Sequence, residues 1–339
     1  MPIDNIRNDI ETGEAYRAAT TSAVVFHRSD RAFVRVYGRD PVKMVQGLIT
    51  NDLALASDRR AVYAGLLTPK GKLVAELRVY LRGNDVLLET DAGALDNLLA
   101  HFRKFVPPLF ARFEVTDAVA MLGVYGPTSP AIVAQLFDSA LPVAEDEMVA
   151  GDGIAAIRTH YAGDPGFDLL IDGDITSIRD RLGEAGAQPA DLATLDPLRI
   201  EAGSPRWGTE LDESVIPLEA GLRTRMISES KGCYTGQEII IRILHRGHVN
   251  RLLRGMLLGD QPPAAKGTEL FNPVDHKPVG RITSSCVSPR FGQTIALGYA
   301  RRELTLPASL HLGTVNGPLV TVVELPFKES EADHEADSH

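Results

Sequence analysis

Cysteine is scarce in this chain of 339 residues, which contains Cys233 and Cys286 and no others. Two cysteines cannot form a disulfide framework, and by themselves they are too few for a zinc or iron–sulfur site, so we expect no bound metal. Long apolar runs are also missing: the N-terminal residues lack the hydrophobic region of a signal peptide, and no segment approaches the length of a membrane span. We therefore expect a cytoplasmic protein in a reducing compartment, with no membrane partner.

Several catalytic motifs are absent as well. The sequence has no G-x-S-x-G, H-E-x-x-H, P-loop or G-x-G-x-x-G motif, which argues against hydrolases and against enzymes that use nucleoside triphosphates or nicotinamide. The net charge of −10 argues against a generally basic nucleic-acid-binding protein. What remains is an acidic protein of ordinary globular composition, long enough for two or three domains.

Residue periodicity predicts an α+β fold. Strands are expected at Phe33–Tyr37, Ala61–Leu67, Leu73–Leu81 and Val86–Glu89, and helices after Asp40-Pro41 and over residues 95–102. In the third strand, Glu76 and Arg78 point away from the apolar face. The hairpins exclude an all-parallel sheet, which leaves the α+β class.

Three regions follow from the remaining sequence. We expect residues 1–250 to form two α+β lobes, the second over roughly 115–195. Short apolar runs separated by Gly, Pro, Asn and Ser over 251–327 predict a small C-terminal β-barrel. Residues 328–339 are acidic and polar, so we expect a disordered tail.

The charge is distributed unevenly along the chain. Between Arg223 and Arg254 lie seven Lys or Arg residues and two Glu residues, a local balance of +5. This basic stretch is either a solvated face with partners elsewhere or a docking surface for an anionic ligand, and the residues favour neither interpretation over the other.

The segment Lys231–Glu238, with the sequence KGCYTGQE, is the richest in chemistry. Thr235 and Glu238 have the spacing of a capping box, which predicts that a helix starts there. Cys233 would lie just before that helix, where the dipole and the charge of Lys231 favour the thiolate. The alternative is a small buried side chain in a glycine turn. We adopt the functional interpretation, with Cys233 and Lys231 as catalytic candidates.

A second dense segment starts at Asp196-Pro197, which has the pattern of a helix N-terminus. Glu201 would lie near the end of the first turn. A carboxylate accepts two parallel N–H bonds and so suits the edge of a 2-amino-4-oxo pterin, although a favourable charge at a helix N-terminus is the simpler alternative. Trp207 is a candidate for stacking on an aromatic ligand, but a single Trp is more often part of a core.

Together these segments resemble the YgfZ-like branch of the glycine-cleavage T-protein (aminomethyltransferase) family. The resemblance covers nearly the whole chain, and Lys231–Glu238 looks like the K-G-C-[FY]-x-G-Q-E signature of that branch. It implies a three-lobed fold, with two α+β lobes and a C-terminal β-barrel around a central channel that binds tetrahydrofolate. The other matching segments are 40–53, Arg199–Gly203, Pro217–Leu222, Gly280–Ser284 and Ala296–Tyr299.

The resemblance also implies site residues. Glu201 matches the carboxylate that holds the pterin in T-proteins, with Arg199 beside it, and Cys233 is where the branch places its functional thiol. T-proteins carry two adjacent aspartates where this chain has Ala75 and Glu76, so Glu76 is the remaining acidic candidate there.

We add the prediction that the basic stretch, beginning with Arg223 and Arg225, binds the glutamate tail of tetrahydrofolate or of its polyglutamyl form. Clustered arginines match several carboxylates bidentately.

Our leading expectation is a tetrahydrofolate-binding protein that supports assembly or repair of iron–sulfur enzymes. Its partners would be folate, iron–sulfur client enzymes and tRNA-modifying machinery, including methylthiolating enzymes. The alternative is a folate-dependent enzyme, either an aminomethyltransferase or an N-methyl amine demethylase, in which the acidic position at 75–76 would act. A third interpretation is an interaction module that docks tRNA or a client protein through the basic stretch.

Overall fold

The protein is described by a computed structural model that covers residues 13–163 and 165–328. The predicted tail therefore lies outside the described residues, apart from Lys328. The chain divides into two compact units. The first unit consists of Met1–Leu195 and Leu211–His248, and the second unit consists of Asp196–Glu210 and Val249–His339.

The first unit contains two sheets with helices. Its elements up to the end of the first lobe are α1 (residues 13–21), β1 (Val24–His27), β2 (Arg31–Gly38), α2 (Pro41–Gln46), β3 (Val62–Leu67), β4 (Leu73–Arg82), β5 (Asp85–Asp91), α3 (Leu95–Phe105) and β6 (Ala111–Val115). The first sheet has the order β3-β4-β5-β2-β6, with antiparallel neighbours.

The second sheet of this unit follows in sequence, except that it also includes β1. Its elements are β7 (Val119–Tyr125), α4 (Ser129–Val133), β8 (Met148–Gly151), β9 (Ile154–Arg158), β10 (Gly166–Asp172), α5 (Thr176–Glu184) and β11 (Gln188–Pro189). The strand order is β11-β1-β7-β10-β9-β8, and the β1–β11 pair is parallel. After α6 (Leu192–Glu201), the first unit resumes with α7 (Arg223–Met226) and α8 (Gln237–Arg246).

Both faces of β4 are buried. Leu73, Leu77 and Val79 occupy the apolar face, as the alternating sequence predicts. Glu76 and Arg78 on the other face are also buried, because that face packs toward the second sheet. Burial of charged side chains requires ion pairs and hydrogen bonds, and the two sheets supply them across their interface.

The helix predicted within the Lys231–Glu238 segment starts later than expected. α8 begins at Gln237, and its N-cap is Gly236, which has a left-handed φ of 84° and no side chain for capping. Thr235 lies one position before the cap, so the predicted capping box with Glu238 is wrong.

The helix predicted to start at Asp196-Pro197 starts earlier. α6 begins at Leu192, so Asp196 and Pro197 lie inside it. The side chain of Asp191 accepts the backbone N–H of Thr194 at 3.1 Å and serves as the cap. Glu201 is therefore the last residue of the helix, and the prediction that it lies in the first turn is wrong.

The second unit is built around a closed six-stranded barrel. Its strands are β12 (Arg251–Gly259), β13 (Glu269–Phe271), β14 (Pro278–Ser288), β15 (Gln293–Arg301), β16 (Ala308–Leu312) and β17 (Leu319–Val323), closed in the order β12-β15-β14-β13-β16-β17. The barrel interior holds apolar side chains such as Met256, Leu270, Ile282 and Val322. The predicted α+β class with a C-terminal barrel is confirmed.

Candidate functional site

The carboxylate of Glu201 is buried in the second unit. It accepts a hydrogen bond from the Ser288 hydroxyl on β14, and Ser288 Oγ in turn accepts the Phe291 N–H at 3.1 Å. Because Glu201 ends α6, it lies where the helix dipole disfavours negative charge, which removes the favourable N-terminal charge as an explanation for this residue. A buried carboxylate in an unfavourable position is typical of a functional site.

The thiol of Cys286 lies close enough to Glu201 to feel its charge. Burial raises the pKa of Cys286 to about 12, and the negative charges of Glu201 and Asp196 add to the effect. Cys286 is therefore a neutral thiol at physiological pH, consistent with a packing role.

Arg199 forms an ion pair inside the second unit. It is fully buried, and its Nη1 donates to Glu210 Oε2 at 2.8 Å while its Nε donates to Asp196 at 2.7 Å. Glu210 also accepts from the hydroxyls of Ser284 and Thr209, each at 2.7 Å. This network joins the 196–210 segment to the barrel, so the structure places Arg199 among protein partners.

Trp207 lies in the loop that follows α6 and is half-buried. The next residue, Gly208, accepts a hydrogen bond from Lys266 Nζ through its carbonyl oxygen at 2.6 Å, which fixes this loop on the barrel. The stacking role of Trp207 stays a prediction.

Glu76 occupies the polar face of β4 in the first unit, next to the fully buried Ala75. Arg31 bridges two carboxylates, with Nη1 at 2.6 Å from Glu76 and Nε at 2.8 Å from Glu89. Burial by itself would raise the pKa of Glu76, but the charge and hydrogen bond of Arg31 outweigh it and hold the pKa below its usual range. Glu76 is therefore an ionised acceptor.

Arg78 extends this buried network to the second sheet. Its Nη1 donates to Asp168 on β10 at 2.9 Å, and its Nε donates to Asp146 at 3.2 Å. Asp146 has a left-handed φ of 64°, an unfavourable conformation for a residue with a Cβ. Its carboxylate accepts from both Arg78 and Arg225, at 2.8 Å from Arg225 Nη2.

A cavity of about 370 Å³ lies in the first unit, beside this network. Arg225 lies at 4.1 Å over the ring of Tyr63, and Asn51 Nδ2 donates to the carbonyls of Tyr63 and Arg225 at 2.9 Å each. Burial raises the pKa of Tyr63 well above its usual range, so it is a neutral hydrogen-bond donor. The lining residues include Asn51, Arg60, Tyr63, Glu145, Asp146 and Arg225.

Sequence reasoning found Arg225 but missed the rest of this wall. Asn51 lies in the family-matching segment 40–53 and Tyr63 in the predicted strand Ala61–Leu67, but nothing in the sequence marks either as a site residue, and Asp146 lies in a loop without any local signal. Arg223 is exposed and pairs with Glu229 at 2.8 Å, and it does not line the cavity.

Lys231 supports the backbone near α2. Its Nζ donates to the carbonyl oxygens of Gln46, Ile49 and Asn51 at 2.7, 2.7 and 2.9 Å. Burial lowers the pKa of Lys231 to about 8, which still leaves it mostly protonated at neutral pH. All three N–H donors are engaged, so the ammonium acts as a structural tie to these carbonyls. Cys233 is exposed to solvent.

Most cations of the basic stretch already have partners within the protein, so fewer of them are available to bind an anionic ligand than the sequence suggests. Five of the seven take part in ion pairs, carbonyl bonds or ring contacts: Arg223 with Glu229, Arg225 with Glu145 and Asp146, Lys231 with backbone carbonyls, Arg251 with Tyr299, and Arg254 with Glu324. The binding of a glutamate tail by Arg223 and Arg225 stays a prediction.

The described residues contain neither a membrane-spanning helix nor a cluster of metal ligands. Between residues 13 and 328, apart from residue 164, no helix has the length and apolar character needed to span a membrane. The same residues contain no group of three or more His, Cys, Asp or Glu side chains that could hold a metal ion.

Comparison with known proteins identifies relatives along most of the chain. Residues 9–230 match the GCVT N-terminal domain, and residues 251–327 match the glycine cleavage T-protein C-terminal barrel domain. The aminomethyltransferase of Moorella thermoacetica is 32% identical over 337 residues, which cover 93% of this chain and 88% of the relative. The aminomethyltransferase of Rubrobacter xylanophilus is 31% identical over 302 residues, which cover 85% of this chain and 78% of the relative.

A solved structure supports the same fold. The crystal structure of glycine cleavage system aminomethyltransferase T from Bartonella henselae matches with a TM-score of 0.83 at 20% identity, and the match covers 94% of this chain and 90% of that chain.

These comparisons correct the leading functional expectation. A role in iron–sulfur assembly is contradicted because the relatives that match most of the chain are named aminomethyltransferase. The comparisons give no support for iron–sulfur clients or tRNA-modifying partners. They favour the alternative expectation. The cofactor prediction is confirmed, since tetrahydrofolate is the one-carbon carrier of the matched family.

The two family matches, to residues 9–230 and 251–327, together span most of the sequence. Relatives above 30% identity cover more than four fifths of it. The chain therefore belongs to the glycine cleavage T-protein family.

Proposed function

We propose that this protein is a folate-dependent aminomethyltransferase, which transfers a one-carbon unit from an aminomethyl donor to tetrahydrofolate. The observation that carries the proposal is the buried Glu201 carboxylate at the C-terminal end of α6, in a chain whose relatives are named aminomethyltransferase.

The residues around Glu201 fit a pterin. A carboxylate can accept two parallel N–H bonds from the pterin edge, and the Ser288 hydroxyl fixes its orientation. Arg199 would act indirectly by holding the segment that carries Glu201, and Trp207 in the loop after α6 is the aromatic candidate for stacking. When bound, tetrahydrofolate supplies the nitrogen atoms that accept the one-carbon unit.

The position of the T-protein aspartate pair limits the acid–base chemistry. Ala75 has no polar atom, so any carboxylate role there falls to Glu76. Because Arg31 keeps Glu76 ionised with a lowered pKa, Glu76 can accept a hydrogen bond from an N–H group, but at neutral pH it is a weak base and cannot act as a general acid.

A finer assignment rests on the Lys231–Glu238 segment. It favours the YgfZ-like branch within the family, because the sequence matches that signature and Cys233 is accessible to a reagent or substrate. The cytoplasmic location stays a prediction.

The test begins with binding. Tetrahydrofolate is titrated into wild type, Glu201→Gln and Glu213→Gln, with thermal stability as a second readout, because a ligand that binds the native form raises apparent stability. Glu213 is exposed, so its variant controls for the loss of one charge. We expect Glu201→Gln to weaken binding by about tenfold or more, as for a lost charge-assisted pair, and Glu213→Gln to leave it unchanged.

Activity is then measured as methylenetetrahydrofolate and ammonia released from an aminomethyl-loaded lipoyl carrier protein. Equal tetrahydrofolate affinity for wild type and Glu201→Gln would remove Glu201 from the site. Normal binding by wild type without methylenetetrahydrofolate formation would contradict the aminomethyltransferase proposal itself.

A further inference from the structure

The strand β6 forms one edge of the first sheet, with β2 as its neighbour on the inner side. Among the described residues, no strand pairs with its outer side. The opposite edge of the sheet, β3, is covered by the chain itself: Ile49 forms a bridge with Leu66, and the Gly65 N–H donates to Thr50 Oγ1 at 2.8 Å. Unpaired backbone groups at a sheet edge are a template for another strand. The edge at β6 is therefore the one that can accept a further strand.

The pairing with β2 shows which backbone groups of β6 face the free edge. The Thr116 N–H donates to a β2 carbonyl, and the Phe110 carbonyl accepts from the residue after β2, each at 3.0 Å. Bonded and non-bonded residues alternate along an antiparallel strand, so the even-numbered residues bond β2. The N–H and C=O groups of Phe113 and Val115, and the C=O group of Ala111, therefore point away from β2.

The side chains at this edge supply both apolar area and charge. Phe110 is 41% exposed and Val115 is 46% exposed, at the two ends of the strand. Arg112 and Glu114 are exposed and lie on the same face, because they are two residues apart. Glu114 Oε1 lies 3.6 Å from Arg35 Nη1, and both side chains are half exposed, so the carboxylate of Glu114 has room for a second partner.

The segment is complementary to itself. When two copies pair antiparallel about a two-fold axis at Phe113, Arg112 of each copy lies opposite Glu114 of the other. This is a non-hydrogen-bonded pair, in which the Cα atoms are about 4.5 Å apart and the side chains are closest. The two neighbouring registers of the same hydrogen-bond phase place Arg112 opposite Arg112 or Glu114 opposite Glu114. Like charges directly opposite each other are destabilising, so the charges select one register.

We propose that β6 is an interface between two copies of this chain, whose β6 strands pair antiparallel with Phe113 on the two-fold axis. In this register Phe113 exchanges two backbone hydrogen bonds with its counterpart, and the Val115 N–H donates to the Ala111 carbonyl of the other copy, once in each direction. Val115 lies opposite Ala111 and Phe110 lies opposite Thr116 of the other copy, which removes exposed apolar area from water. The proposal does not depend on the aminomethyltransferase assignment.

The experiment is sedimentation equilibrium of the full chain over a range of protein concentrations. We expect wild type to dimerise, and Arg112→Glu and Glu114→Arg each to weaken the dimer by about tenfold or more, because each places like charges opposite each other at both symmetry-related positions. Val115→Pro should also weaken it, since proline lacks the N–H that crosses the interface while the N–H groups that bond β2 remain. Arg179→Glu is the matched control, because it makes the same charge change at an exposed position on α5, outside this sheet.

A mixture of the two charge variants tests the register itself. In a heterodimer of Arg112→Glu with Glu114→Arg, opposite charges again face each other at both positions, so an equimolar mixture should recover the wild-type affinity. Thermal unfolding separates binding from folding. At a dilution where wild type is monomeric, Arg112→Glu should have the Tm of wild type, because the Arg112 side chain is exposed. A lower Tm together with the loss of the dimer would indicate a structural residue and would overturn the proposal.

Four other outcomes would also overturn it. A wild-type chain that stays monomeric at its highest soluble concentration would leave the edge to a different partner. A dimer that Arg112→Glu leaves intact would place the contact on another surface. A mixture that dimerises no more tightly than either charge variant would exclude the proposed register. Equal weakening by Arg179→Glu would mean a non-specific effect of charge.

Discussion

Replacing Arg199 with methionine should destabilise the protein strongly, because it leaves Glu210 as a buried charge without its counter-ion. Arg199 is 0% exposed, and its Nη1 lies 2.8 Å from Glu210 Oε2. Removing one partner of a buried ion pair costs about 3–5 kcal/mol. Arg206 provides the matched control, since it bonds Asp196 at 3.0 Å but is 34% exposed. Arg206→Ala should therefore cost about 1 kcal/mol at most.

The pH dependence of this effect has a definite sign. Burial by itself would raise the pKa of Glu210, but Arg199, Ser284 and Thr209 hold it below its usual range. In wild type, the stability from this pair is present above the unfolded pKa of about 4.5 and is lost as the pH falls through the lower folded pKa. In Arg199→Met, burial acts on Glu210 without the opposing charge of Arg199, so we expect the pKa of Glu210 to be higher in the folded protein than in the unfolded chain. That variant should regain stability relative to wild type as the pH falls from about 7 toward about 4.5.

The assay is urea unfolding followed by circular dichroism at both pH values. The double variant Arg199→Met/Glu210→Gln removes the stranded charge, and its amide oxygen can accept from Thr209 while its NH2 group donates to the hydroxyl oxygen of Ser284. It should recover about 1–3 kcal/mol relative to Arg199→Met. Equal losses for Arg199→Met and Arg206→Ala, or no recovery in the double variant, would refute the reasoning.

Three further predictions concern other regions. Gly236→Ala should lower the free energy of unfolding, measured by urea titration, by about 1 kcal/mol or more, because φ is 84° and the new Cβ would lie 2.5 Å from a backbone oxygen. Gly232→Ala is the control: its new Cβ enters open space, so the variant should be nearly neutral in the same titration. Iodoacetamide should alkylate the exposed Cys233 of the native protein and spare Cys286, whose pKa is raised to about 12; two labels in the mass spectrum would contradict this. Burial lowers the pKa of His101 to about 4, so its contribution to stability is complete above the unfolded value of 6.5 and is lost as the pH falls toward about 4. His101→Phe should flatten that part of the stability profile, and an unchanged slope would refute the assignment.

The regular elements were largely predictable from the sequence. The alternation from Leu73 to Leu81 gives β4, and Asp40-Pro41 precedes α2, because local periodicity and backbone preferences act over a few residues. The residues at which helices begin were predicted less accurately. Asp191 competes with Asp196 as a cap, and Gly236 takes the position that Thr235 was predicted to fill.

The candidate site was predictable only in part. The sequence singles out Glu201 through the family resemblance and Arg225 through its charge, and the structure shows Glu201 buried and Arg225 lining a cavity. The bonds of Lys231 to three carbonyls near α2 could not be found, because those acceptors lie at least 180 residues away in the chain. The position of Lys231 two residues before Cys233 suggests that its charge activates the thiol, whereas in the structure its ammonium donates hydrogen bonds to three backbone carbonyls.

The sequence by itself determined the family and most of the strand and helix content, and it singled out Glu201 as the candidate carboxylate for a pterin. Only the tertiary structure decided which charges are paired. Arg31 meets Glu76 across 45 positions of sequence, and Arg251 lies opposite Arg301 because β12 pairs with β15. The energy of a charge depends on its exclusion from water and on its spatial neighbours, and both are set by how the sheets pack rather than by local sequence.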